Sequence, residues 1–185
     1  MIIYLDTNII LSHFDKTDHF HLQNKNLLDQ NDMTYVTGFI TIVEFASVLA
    51  RLLKDNQIQF SNELYKLIHK LPEHDQIKTI TETCFGRLNL SILPASGLEK
   101  IIINKKEYLV ENSFTLAYEL GSYLNLRTLD VIQIASAMKV KHFTNFNVDY
   151  FLTNDKNILN NAQIIRKNIK IIPISSIELI SILKI

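Results

Sequence analysis

The chain has 185 residues, 47% of them hydrophobic and 21% charged, a composition that fits a globular protein and excludes a disordered or fibrous one. Nineteen Lys and Arg balance nineteen Asp and Glu, so no global charge draws the chain to nucleic acid, and a polyanion must be met by a local basic patch or a bound cation. One cysteine excludes an internal disulfide and points to a reducing cytoplasm, no apolar run reaches the ~18 residues of a membrane span, and the N-terminus lacks the basic start of a signal peptide.

In chain order, IIYL (2–5) reads as a short buried strand, with a helix in NIILSHF and another in HLQNKNLLDQ (21–30). MTYVTGF (33–39) is a second strand, and TIVEFASVLARLLKD (41–55) is helical. SNELYKLIHKL (61–71) places apolar residues at 64, 67, 68 and 71, a helical spacing closed by Pro72. DQIKTITETCFGRL follows as a helix, in which Cys84 has no partner motif and reads as a buried structural thiol. LSILP (90–94) is a strand. The stretch 96–114 supports two readings: Ser96 and Glu99 fit a helical capping box, while IIIN-KK-EYLV fits a hairpin. FTLAYELGSYL (114–124) and TLDVIQIASAMKVKH (128–142) are helical, the latter with Thr128 as its N-cap. DYFLT (149–153) is a strand, DKNILNNAQIIRKN (155–168) a helix and KIIPI (170–174) the last strand, before SIELISILKI. Strands that alternate with helices predict an α/β fold, with a parallel sheet covered on both faces. No repeat, low-complexity tract or Pro/Gly linker divides it, so one domain over 1–185 is expected.

Most acids lie in polar company and read as solvated: Asp15, Asp18, Glu73, Asp75, Glu82, Glu107 and Glu111. Four do not. Asp6 follows IIYL, Glu44 lies inside ITIVEFASVLA, Asp130 inside LDVIQIASA, and Asp155 follows YFLTN. Each has a local explanation. Asp6 fits a cap after the first strand. Thr41 and Glu44 fit a capping box, with Glu44, Ser47 and Arg51 on one solvent face. Asp130 and Asp155 fall in first turns, where the helix dipole favours a negative charge. Together, however, two acids that follow strands and two that lie near helix starts can fall at one edge of a parallel sheet, where ligands bind. Carboxylates gathered there repel one another, and a hard divalent cation relieves that repulsion.

These residues carry a resemblance. LDTN at 5–8, TIVEFASVLARL at 41–52, LRTLDVIQIASA at 126–137 and FLTND at 151–155 resemble the successive motifs of PIN-domain nucleases, whose best-known branch is the VapC-type toxins. The resemblance implies a three-layer fold with a parallel sheet in the order 3-2-1-4-5, flanked by helices. It implies a Mg²⁺- or Mn²⁺-dependent endoribonuclease that acts on single-stranded or structured RNA. It further implies the toxin of a toxin–antitoxin pair, with a small antitoxin protein as partner and a homodimer as assembly. The acidic quartet falls on Asp6, Glu44, Asp130 and Asp155: the first three hold the principal ion, and Asp155 holds a second ion or positions the attacking water. Asn8 and Thr153 match residues that orient the carboxylates, and Arg127 is a candidate for RNA contact, for a salt bridge or for a helix-flank role. The departure is length: the stretch 56–113 exceeds a compact PIN toxin and is expected to be a mainly helical insertion or arm.

Other signals are weaker. His13, His19 and His21 match no strong zinc spacing and read as surface residues, and NKKEY (104–108) and KVKH (139–142) read as solvated basic ends. Two other classes of function stay open. An Asp-nucleophile phosphatase would need an acid two residues after Asp6, where Asn8 stands. A non-enzymatic PIN-like module would bind RNA or a partner without turnover.

Overall fold

The computed structural model describes residues 1–30, 32–94, 97–140 and 147–184. Strand β1 (Ile2–Leu5) is the middle of a five-stranded sheet, and Ile3, Tyr4 and Leu5 are wholly buried, as a central parallel strand with both faces covered requires. It pairs in parallel with β2 (Thr34–Gly38) on one side and with β6 (Tyr150–Leu152) on the other. Strands β3 (Leu90–Leu93) and β7 (Ile172–Ile174) form the edges, which gives the order β3-β2-β1-β6-β7. Numbered among the sheet strands alone, that is the expected 3-2-1-4-5, because β4 (Leu98–Ile103) and β5 (Lys106–Glu111) form a separate antiparallel hairpin.

Strand alternation sends side chains into two cores. Ile3 and Leu5 face one, with Phe45 and Leu49 of α3 (Phe39–Lys54), Leu64 of α4 (Asn62–Ile68) and Ile80 of α5 (Glu73–Arg87). Helices α1 (Thr7–Phe14) and α2 (His21–Leu28) cover the same face. Tyr4 faces the other core, with Leu120 of α6 (Asn112–Gly121), Ile134 of α7 (Thr128–Met138), Ile158 of α8 (Lys156–Asn160) and Ile165 of α9 (Ala162–Ile169). The last helix, α10 (Ser176–Leu183), returns to the first face through Leu179 and starts at a capping box of Ser175 and Glu178. Cys84 is buried in the first core, and burial pushes its thiol up to about 12, so it stays protonated and packs as a small apolar group.

Several expectations need correction. The 98–111 stretch is the hairpin and not a capped helix: Asn104 and Lys105 form its two-residue turn with φ of 51° and 63°, the pairing geometry of a type I′ turn. Ser96, its proposed cap, lies outside the described residues, and Glu99 is in β4. Helix α3 begins at Phe39 with Gly38 as N-cap, so Thr41 and Glu44 form no capping box and Glu44 stands in the second turn. Thr128 is the first residue of α7 and Arg127 its N-cap. The helix expected over 155–168 is two, broken at Asn161. Asp15 is buried and not solvated, because its Oδ1 accepts hydrogen bonds from Thr17 N, Thr17 Oγ1 and Gln59 N. Glu111 is half-buried, its carboxylate bonded by Ser113 Oγ. In KVKH, Lys139 is not solvated, because it packs in beside Glu99, and Lys141 and His142 lie outside the described residues.

Gly38 is fixed by a close approach. A Cβ there would sit 2.8 Å from the Tyr4 hydroxyl and 3.2 Å from Ser136 Cβ, and the Gly38 N–H donates to that hydroxyl at 3.0 Å. Gly38→Ala is therefore expected to lower stability by about 1–3 kcal/mol through overpacking, read as a fall in thermal midpoint.

Candidate active site

The chain leaves β1 at Leu5 and enters α1 at Thr7, so Asp6 occupies the strand-to-helix turn at the carboxyl edge of the sheet. Its N–H donates to Leu152 O at 3.1 Å, which ties the ends of β1 and β6 together. The carboxylate is almost fully buried and accepts three hydrogen bonds. Thr7 N donates to Oδ1 at 2.6 Å, while Asn8 Nδ2 at 2.5 Å and Thr153 Oγ1 at 2.6 Å donate to Oδ2. Asn8 is itself held by Asn154 N, which donates to its Oδ1 at 3.0 Å, and Thr153 Oγ1 accepts from Asp155 N at 3.0 Å. Asn8 and Thr153 thus both touch Asp6 directly.

Glu44 reaches the same edge from α3. Its Oε2 accepts from Thr7 Oγ1 at 2.6 Å and from Gln133 Nε2. Gln133, buried on α7, also donates to Thr7 Oγ1 at 3.1 Å and accepts from Thr41 Oγ1 at 3.4 Å. Thr41 in turn meets the Tyr4 hydroxyl at 3.3 Å. One polar thread therefore runs from the core tyrosine to Glu44. Sequence reasoning missed Thr7 and Gln133. The available signal was Gln133 itself, a polar residue in the apolar run VIQIASA, three positions after Asp130 and so on the same helical face. Gln133→Leu leaves the Glu44 and Thr41 partners unmade and is expected to cost about 1–3 kcal/mol, measured by urea unfolding.

Asp130 stands in the first turn of α7, as expected, and Asp155 is the N-cap of α8, accepting from Asn157 N at 2.7 Å. Asp6 and Asp155 do cap helices, and the caps coexist with a shared electrostatic field. Burial, first, pushes the Asp6 acid up to about 7; the Thr153 hydrogen bond opposes this, and the Glu44 and Asp130 charges add to it. Asp130 is also raised, by burial first and then by the Asp155 and Glu44 charges, with Arg127 acting against them. Asp6 thus feels the charges of Glu44 and Asp130, and Asp130 those of Asp155 and Glu44, although the four acids lie up to 149 positions apart in sequence. Arg127 is exposed at the start of α7 and forms no ion pair within 4.0 Å among the described residues, so the salt-bridge alternative is not realised there.

A divalent ion fits the chemistry of this donor set. Asp130 Oδ2 is buried without a hydrogen-bond partner, a costly state for a carboxylate that a cation would relieve. The neighbouring acids repel it for the same reason. No three His, Cys, Asp or Glu side chains form a ready ion cage among the described residues. Thr7, Asn8 and Thr153 hold the Asp6 carboxylate, and Thr7 and Gln133 that of Glu44, through hydrogen bonds.

Fold and site together define an α/β protein with buried and half-buried carboxylates at the carboxyl edge of a parallel sheet. The PIN domain family model matches residues 3–164. The chain belongs to the PIN-domain family. No curated protein matches the sequence. Among solved structures, the chain is similar to the VapBC2 complex of Rickettsia felis bound to a DNA fragment from its promoter, with 17% identity over 95% of this chain and 98% of the matched one and a TM-score of 0.48. It is also similar to VapC20 of Mycobacterium tuberculosis, a toxin that cleaves the sarcin–ricin loop, with 12% identity over 83% of this chain and 90% of the matched one and a TM-score of 0.49.

Proposed function

We propose that this protein is a Mg²⁺- or Mn²⁺-dependent endoribonuclease, with Asp6, Glu44 and Asp130 as the residues that hold the principal ion. The observation that carries the reading is the buried, unpartnered Asp130 Oδ2, one helical turn from the Gln133 that holds Glu44, while Thr7 bonds both Glu44 and Asp6. Family membership supports the same chemistry. The ion would supply charge neutralisation and Lewis-acid activation for phosphodiester hydrolysis. Asp155 positions the attacking water or a second ion. Thr153 and Asn8 fix the Asp6 carboxylate, and Gln133 fixes Glu44, so that neither has to reorganise when substrate binds. Arg127 contacts the RNA backbone. The finer assignment is a cytoplasmic VapC-type toxin, one domain over 1–185, homodimeric and held in check by a small antitoxin; it rests on the motif resemblance.

One observation favours a second reading, a PIN-like module that binds RNA or a partner without turnover: the acids do not stand as a ready cage among the described residues. The phosphatase reading loses ground, because Asn8 donates its amide to Asp6 and has no acid to offer a leaving group. The test is single-stranded RNA incubated with purified protein and Mn²⁺, with and without EDTA, beside Asp130→Asn. Cleavage that requires the ion and Asp130 is expected. Cleavage that survives chelation or the substitution contradicts the proposal, and metal-independent binding without cleavage selects the module.

A further inference from the structure

An open cleft of about 480 Å³ lies between the start of α3, the end of β3, α6 and α7, and α3 and α7 also carry Glu44 and Asp130 of the acidic site. Two helical ridges connect them. On α3, Ile40 lines the cleft and Glu44 follows four residues on; on α7, Ser136 lines the cleft three residues after Gln133, which holds Glu44. Each ridge spans about one helical turn of 5.4 Å, the scale of a single nucleotide step.

The walls are apolar and partly aromatic. Phe39, Val43, Ile92 and Phe114 line the cleft and are 63%, 50%, 45% and 45% exposed. Neither phenylalanine stacks on another ring among the described residues. Single-stranded RNA is read by bases that unstack onto such rings and present their edges to polar side chains. Two charges lie in the same walls. Lys139, its side chain 14% exposed, is steadied by Glu99 at 3.7 Å and offers ammonium protons. Glu111, steadied by Ser113 Oγ at 2.5 Å, offers carboxylate lone pairs.

We propose that this cleft holds the base of the nucleotide beside the scissile phosphate and selects guanine through Glu111 and Lys139. Guanine alone presents two parallel N–H donors for a carboxylate beside a carbonyl for an ammonium. Uracil has one N–H between two carbonyls that repel Glu111, and adenine and cytosine place a ring lone pair where the second donor is needed. The hairpin β4–β5 thereby gains a use, since it supplies both Glu99 and Glu111.

The inference rests on the ribonuclease reading, and its test separates the two. Labelled pentanucleotides that carry guanine, inosine, adenine, cytosine or uracil at one position are titrated in EDTA and followed by fluorescence anisotropy. The same sequences are then cleaved with Mn²⁺. Guanine is expected to bind about tenfold tighter than adenine, and inosine, which lacks the second donor, to fall between them. Glu111→Gln should remove the guanine preference. Phe39→Ala, at an exposed position that tolerates change, should weaken all five by about fivefold or more through lost stacking, with an unaltered melting temperature. Equal binding of all five, or a guanine preference that persists in Glu111→Gln, overturns the proposal even where Mn²⁺-dependent cleavage is found. Guanine preference without cleavage upholds the cleft and removes the nuclease. A wild-type dimer that Phe39→Ala converts to a monomer makes the cleft a contact between copies and also overturns it.

Discussion

If the proposed ribonuclease chemistry holds, Asp6→Asn is expected to lower Mn²⁺-dependent RNA cleavage by about 10²–10³-fold, the scale of losing an electrostatic contact at a reacting centre. The same substitution carries a stability signature with a defined sign. Burial raises the Asp6 acid from 3.8 to about 7 in the folded protein. A raised acid favours folding in its protonated form. That contribution is fully present below pH ~4 and is lost as pH rises through 7. At about 1.4 kcal/mol per tenfold in proton affinity, the ceiling is roughly 4 kcal/mol. Asparagine does not titrate, so the stability of the metal-free variant relative to wild type should increase by a few kcal/mol between pH 5 and pH 8. The constant part of the difference has the opposite sign, because an amide NH₂ would face the Asn8 and Thr153 donors that now bond Oδ2. Urea unfolding at the two pH values separates these effects. A difference that is flat with pH contradicts the account of a buried, repelled carboxylate and leaves Asp6 as a helix cap only.

The second large effect is stabilisation by the ion. A ligand that binds only the folded crevice stabilises by about 2.7 kcal/mol at a hundred times its dissociation constant. For a chain of this size that corresponds to a rise of roughly 5–10 °C in melting temperature. The rise should be smaller at pH 5.5 than at pH 8, since below about 7 a proton on Asp6 competes with the cation. Asp130→Asn should abolish most of it, because Asp130 Oδ2 is the oxygen that lacks any partner. A Mn²⁺ effect of equal size in wild type and Asp130→Asn would place the ion elsewhere.

The fold was legible in the sequence where local pattern and tertiary demand agree. IIYL, TYVTG and YFL are short apolar runs between helices, and as central or near-central strands they have no solvent face to encode. The four acids were legible for the opposite reason: a carboxylate beside such a run is costly unless the site uses it. What sequence could not give was the polar thread behind them. Gln133 and Thr7 act only because α7, α1 and α3 converge, and that convergence is a tertiary fact. The capping box at Thr41 failed because α3 begins earlier, at the Gly38 turn that Tyr4 closes with its hydroxyl. The 96–114 stretch was ambiguous because its apolar residues come in runs, III at 101–103 and YLV at 108–110, on a hairpin with little packing of its own: Leu98, Ile102 and Leu109 are exposed. The break at Asn161 shows how loosely periodicity alone bounds a helix.

The proposed chemistry turns on Asp6, Glu44 and Asp130, distant in sequence, holding one principal cation. Direct Mn²⁺ binding tests it, with free Mn²⁺ followed by electron paramagnetic resonance in wild type, Asp6→Asn, Glu44→Gln and Asp130→Asn, each first shown to be folded. The account predicts one saturable site in wild type, weakened at least about tenfold by each substitution. Wild type that binds no Mn²⁺, or variants that bind it as tightly as wild type, would contradict it.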